Sequence, residues 1–207
     1  MKKLLIEFIG TFFLVFVVML SGNPLAIGCI LMAMVYMGGH ISGAHYNPAV
    51  TLGILIRGKI KTNEALMYMV VQLTGAIVAA VMYYLIYGKT VAPSPAPGFN
   101  ILKPLLIEAI FTFALAMVVL HSATSQKTTG NSFYGLAIGF TILAAATAGG
   151  PISGGAFNPA VGTGTILVDT IIGHHDSIKN LWIYLVGPFT GGAIAGLVFK
   201  FINPDDK

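Results

Sequence analysis

The chain has 207 residues, 56% of them hydrophobic and only 9% charged, with a mean hydropathy of +0.86. Soluble globular domains carry roughly 25% charged residues, so this composition excludes a water-solvated domain and points to one solvated by lipid. The net charge of +4 comes from 11 Lys and Arg scattered along the chain, and without a clustered basic face it excludes a nucleic-acid partner.

Lys2-Lys3 followed by an apolar run has the outline of a signal peptide. The run is longer than a signal core and encloses Glu7, so it reads as a retained first helix. Apolar spans then follow over residues 4–20, 25–39, 65–87, 105–120, 132–148 and 181–202, which predicts six membrane-spanning helices. Cys29, the one cysteine, lies in the second span; it excludes an internal disulfide and a cysteine-built metal site, and its thiol reads as packing. Residues 89–100, with Pro93, Pro95, Pro97 and Gly98, form neither helix nor strand and read as a linker. The chain therefore divides into a first unit, 1–88, a connection, 89–102, and a second unit, 103–207.

The two units repeat each other. Leu4 to Val18 matches Leu105 to Val119 at ten of fifteen positions with an offset of 101, and His40 to Val50 matches Pro151 to Val161 at seven of eleven with an offset of 111. Thr74-Gly75-Ala76 echoes Thr190-Gly191-Gly192. Three spans per unit is an odd number, so the second copy enters the membrane from the opposite side and the copies form an inverted repeat, whose interface is where a site is expected. Lys and Arg orient it. With the N-terminus inside, Lys2, Lys3, Arg57, Lys59, Lys61, Lys127, Lys200 and Lys207 fall inside against Lys89, Lys103 and Lys179 outside, which predicts cytoplasmic termini.

Within the second matching block each copy carries Ile-Ser-Gly and then Asn-Pro-Ala: Asn47-Pro48-Ala49 and Asn158-Pro159-Ala160. Asn is a strong N-cap and Pro suits the first helical turn, so each tripeptide starts a helix. Those helices, over 47–56 and 158–168, would each cross about half of a ~30 Å hydrocarbon core. Non-helical backbone at that depth is tolerated only where it lines a cavity or is buried in protein, so a paired re-entrant segment implies a pore or binding site.

The doubled Asn-Pro-Ala motif in a small six-helix chain resembles the aquaporin, or major intrinsic protein, family, over nearly the whole sequence. The resemblance implies an all-α membrane protein with six transmembrane helices plus two re-entrant half-helices. It also implies a passive channel for water and other small uncharged solutes, a homotetramer with one pore per subunit, and a cell (plasma or inner) membrane location. By position it implies a selectivity filter at Ile27, Ala146, Gly155 and Val161. Val161 departs from the family pattern, which has arginine there, and the usual aromatic and histidine are absent, so the filter is expected to be apolar and wide. A solute facilitator for glycerol, ammonia or hydrogen peroxide, and a non-conducting structural protein, stand as alternatives.

Glu7 and Glu108 are acids inside apolar helices at matched positions. They read either as a proton relay or as scaffold acceptors for backbone N–H groups of the re-entrant chain, and the resemblance favours the scaffold. His40 and His45 flank the first motif without a third ligand, so they read as loop braces rather than a metal site. His174, His175 and Asp176 could form a metal or pH-sensing group but read as a solvated loop. No nucleotide loop, catalytic triad or carboxylate pair can be assembled, so neither an enzyme nor a cofactor is expected.

Overall fold

A computed structural model describes residues 1–206. Its helices are α1 (Lys2–Ser21), α2 (Pro24–Ser42), α3 (Pro48–Arg57), α4 (Thr62–Tyr87), α5 (Leu102–Val119), α6 (Tyr134–Ser153), α7 (Pro159–Ile171) and α8 (Leu181–Ile202). Six of these are long and apolar enough to cross a membrane, once the π-type turn Leu120–Thr124 is counted with α5 and the 3₁₀ turn Ser177–Asn180 with α8. Large apolar side chains such as Leu85, Leu197 and Phe201 are exposed around the bundle, the surface a lipid solvent requires. Cys29 is also exposed, so its expected packing role is corrected: its side of α2 faces away from the bundle.

The remaining two helices are the half-helices. α3 has 10 residues and α7 has 13, three residues beyond the expected end at Val168. The extra turn is stabilised where Asp169 accepts from Thr90 Oγ1 (2.6 Å) and pairs with His175 Nδ1 (2.9 Å). α2 and α6 also run about a turn past their expected ends, to Ser42 and Ser153, and stop at Gly43 (φ 89°) and Gly154 (φ 90°). Glycine alone takes that left-handed cap without strain, and the Ile-Ser-Gly of each repeat is the sequence signal for it.

Inversion shows in the packing. α1 packs on α2 and α4, as α5 packs on α6 and α8; α2 meets α6 across the repeats; and each half-helix lies on the last helix of the other repeat, α3 on α8 and α7 on α4. Gly28 and Gly139 meet at this interface, where a Cβ on Gly28 would stand 2.8 Å from the Gly139 carbonyl oxygen and one on Gly139 would stand 2.6 Å from that of Gly28. Small residues admit such close backbone approach in membranes.

Both termini lie on one face, here the terminal face, with the α3–α4 and α5–α6 connections; the other is the distal face. On the terminal face Arg57, at the end of α3, pairs with Asp206 at 2.8 Å with both side chains only 1% exposed. It also donates to the Thr124 carbonyl (2.9 Å) and lies 4.6 Å over the Phe199 ring. Asp206 further accepts from Ser125 Oγ and Gln126 N–H. The Ser125 bond first, then the Gln126 amide and Arg57, hold its carboxyl below the usual range against the opposing effect of desolvation. Because the folded group titrates below its unfolded value, the lock is complete above the ordinary carboxylate range and is lost only as pH falls through the depressed folded value. Asp206→Asn is therefore expected to speed hydrogen exchange after Ile202 at pH 7, an effect that the unaltered chain shows only in strong acid. Equal exchange in both at pH 7 would remove the lock.

Candidate functional site

The two re-entrant segments are held by the two buried acids. Glu7 accepts from Ser42 Oγ (2.6 Å), His45 N–H (3.0 Å), Tyr46 N–H (2.8 Å) and Gln72 Nε2 (2.8 Å). Glu108 accepts from Ser153 Oγ (2.7 Å), Ala156 N–H (3.0 Å) and Phe157 N–H (2.6 Å). Ser42 and Ser153 in turn accept from Ala44 N–H (3.0 Å) and Gly155 N–H (3.1 Å). Tyr68 and Tyr184 hydroxyls cap the Ser42 and Ser153 carbonyls at 2.8 and 2.6 Å. Buried backbone donors are thereby paired in a region with no water from lipid. Gln72, Tyr68 and Tyr184 escaped the sequence reading, although Tyr68 and Tyr184 share the offset of the Thr-Gly pair and were visible by that route.

Asn47 and Asn158 cap the half-helices as their position demands: Asn47 Oδ1 accepts from Ala49 and Val50 N–H, and Asn158 Oδ1 from Ala160 N–H. Their amide nitrogens cross between repeats. Asn47 Nδ2 donates to the Phe157 carbonyl and Asn158 Nδ2 to the Tyr46 carbonyl, both at 2.9 Å. Tyr46 and Phe157 have φ of 50° and 48°, left-handed values that cost side-chain-bearing residues of order 1–3 kcal/mol and that aim these carbonyls at the opposite asparagine. Each NH₂ group has two protons and one is used in the crossing, so one donor per asparagine is left.

His45 Nδ1 lies 3.1 Å from Thr51 Oγ1. Thr51 donates its own proton to the Asn47 carbonyl (3.0 Å), so the histidine is the donor, which assigns the Nδ1–H tautomer from the network and leaves Nε2 as an acceptor. His40 is exposed in the last turn of α2 and its side chain makes no hydrogen bond among the described residues, which corrects its expected bracing role. His174 and His175 sit in the distal loop, where His175 pairs with Asp169; no group of three or more metal-ligating side chains occurs among the described residues.

These parts surround a narrow cavity of about 30 Å³, room for a single file of water-sized molecules. Asn47, Asn158, Ala44, His45, Gly155 and Ala156 all line it. A distal vestibule of about 590 Å³ adjoins it, floored in part by the linker at Val91, Ala92, Pro93 and Ser94. Ile27, Ala146, Gly155 and Val161 line both spaces, and so does Val18, which sequence reasoning missed because α1 carries no motif there. At the other end His45 lines both the narrow cavity and a terminal-face vestibule of about 250 Å³. The carbonyl oxygens of Gly43, Ala44 and His45, and of Gly154, Gly155 and Ala156, accept no hydrogen bond among the described residues. Among the described residues, no charged side chain lines the narrow cavity.

Comparison with known proteins agrees with this architecture. The chain is 37% identical to Aquaporin NIP1-4 of Oryza sativa subsp. japonica, over 98% of this chain and 77% of that one. It is 31% identical to Nodulin-26 of Glycine max, over 100% and 80%. The aquaglyceroporin structure from Plasmodium falciparum superposes with a TM-score of 0.87 at 24% identity, covering 98% of this chain and 97% of that one, and shares the fold. The family model for the major intrinsic protein matches residues 1–199, and the chain belongs to that family of membrane channels rather than to an enzyme class.

Proposed function

We propose that the narrow cavity is the conduction path and that Asn47 and Asn158 are its centre, so that the protein conducts water and other small neutral solutes and excludes ions. The observation that carries this reading is a cavity adjoining a vestibule at each end, with one spare amide donor from each repeat at its middle. Three acceptor carbonyls on either side supply partners to a solute that has shed its water, and the asparagine donors turn its acceptor atom toward the centre. The N-terminal ends of α3 and α7 place positive potential there, worth roughly half an elementary charge each, which opposes a cation. Pro48, Ala49, Pro159 and Ala160 are the buried first turns that fix these ends.

Ile27, Ala146, Gly155 and Val161 form the distal selectivity ring in this reading. It lacks charge and, at Gly155, a side chain, so it favours neutral solutes somewhat larger than water. Both termini face the cytoplasm, the linker and His174–Asp176 loop face outward, and subunits assemble as tetramers in the cell membrane. Units 1–88 and 103–207 act as the two halves of one channel domain. Reconstitution into proteoliposomes tests the reading: swelling in an osmotic gradient of permeant urea or glycerol should exceed that of protein-free vesicles, with no accompanying proton flux. Swelling at the lipid baseline would favour a non-conducting structural role.

A further inference from the structure

The inverted repeat assigns a counterpart to every residue of the distal ring. Offsets of 101 in α1 and α5 and 111 from α2 and α6 to the starts of α3 and α7 pair Val18 with Val119, Ile27 with Ile138, Gly155 with Ala44, and Val161 with Val50. Three of the four pairs are identical or nearly so, and all four counterparts line the same narrow cavity. The fifth, Val35, matches Ala146 and is buried in the same core cluster as the other four. The twofold is tight rather than notional: the asparagine crossings are both 2.9 Å, and Gly28 and Gly139 approach each other's carbonyls reciprocally.

By the repeat, a residue and its counterpart occupy equivalent places in the two halves that meet at the asparagine pair. With an arginine at position 161 the distal end would differ from the terminal end in charge and bulk. With Val161 matched by Val50 it does not. Two polar groups break the match among the lining residues: Tyr46, whose hydroxyl is turned to the Met34 carbonyl, against Phe157, and His45, which stands where the narrow cavity meets the terminal-face vestibule, against Ala156.

We infer that this pore carries two chemically matched apolar constrictions in series, the distal ring and a second ring of Ala44, Val50, Val119 and Ile138 toward the terminal face, with selection shared between them. This rests on the conduction reading above. Two equal barriers in series add as resistances. Each ring admits the same class of solute, small and neutral with a low cost of shedding water, and a molecule rejected by one is rejected by the other. Val119 and Ile138 are therefore specificity-determining, not merely core packing.

Urea uptake into proteoliposomes carrying the full chain decides it, using Ile27→Ala, Ile138→Ala and the double variant, with reconstituted protein quantified in each. Relieving one of two equal series barriers can raise permeability by at most about twofold, whereas relieving both together exceeds the product of the single effects. Expected, then, are two similar single gains of no more than about twofold and a double gain well above fourfold. If Ile27→Ala alone matches the double variant and Ile138→Ala changes nothing, the distal ring is the sole filter and the second ring is refuted. Should an alanine variant not assemble, Ile27→Val and Ile138→Val test the same law, with equal single gains expected and an Ile27-only gain overturning it. Uptake at the lipid baseline for the unaltered chain and all variants would instead refute the conduction reading itself.

Discussion

Val161→Arg is expected to lower permeability to urea or glycerol by about tenfold or more, equivalent to ~1.4 kcal/mol of added barrier, while the fold is kept. Val161 is 4% exposed and stands where the narrow cavity opens into the distal vestibule. Its backbone is held by Thr165 Oγ1, which donates to the Val161 carbonyl at 2.7 Å, so the substitution changes the side chain without freeing the helix start. The distal vestibule that Val161 borders has room for a long side chain, and the unpaired carbonyls of Gly154 and Gly155 in that wall are acceptors for a guanidinium with five donors. A fixed cation there narrows the ring and repels other cations. Water, being smaller, should lose less than urea, so the ratio of the two permeabilities should rise. Unchanged urea uptake and unchanged ion leak would show that the constriction is not built from Ile27, Ala146, Gly155 and Val161.

What could be read in the sequence followed from apolar length and from repetition. The six spans came from the length of apolar runs, and the half-helix starts at Asn47 and Asn158, the inverted repeat and the two acids came from residues that occur twice at a constant offset; each has a local physical cause. Asparagine before proline caps the starts of α2, α3 and α7, at Asn23, Asn47 and Asn158. A carboxylate inside an apolar helix must meet donors. Residues that act across the bundle without a repeated motif stayed hidden. Val18 reaches the ring from a helix read only for its acid, and Gln72 reaches both Glu7 and Thr51 with no polar counterpart at Pro188. Arg57 looked like one more inward-facing charge until Asp206, 149 positions later, closed on it. The orientation of the asparagine amides was also beyond the sequence, because the crossing to the opposite carbonyl depends on the left-handed turns at Tyr46 and Phe157.

Replacing the acids should damage assembly before it alters selectivity. Glu7→Leu leaves four buried donors without an acceptor: the Ser42 hydroxyl, the His45 and Tyr46 amides and the Gln72 side chain. Glu108→Leu leaves two, the Ala156 and Phe157 amides, while the Ser153 hydroxyl keeps only its longer bond to the Gly149 carbonyl (3.4 Å). A buried unsatisfied donor costs about 1–3 kcal/mol, so either loss takes at least ~2 kcal/mol from the re-entrant loop it supports. Both acids are fully buried, and no water from lipid can substitute. Glu7→Leu should therefore give the lower yield of monodisperse protein in detergent and the lower melting temperature, with Glu108→Leu next. Glu108→Gln should recover part of the loss, since its carbonyl oxygen still accepts while its NH₂ faces a donor. Melting temperatures read in detergent and proton flux read in vesicles separate the two roles open to these carboxylates. A Leu variant that assembles with an unchanged melting temperature but altered proton flux would make the acids a relay. Lowered melting with no change in proton flux makes them the supports on which Asn47 and Asn158 meet.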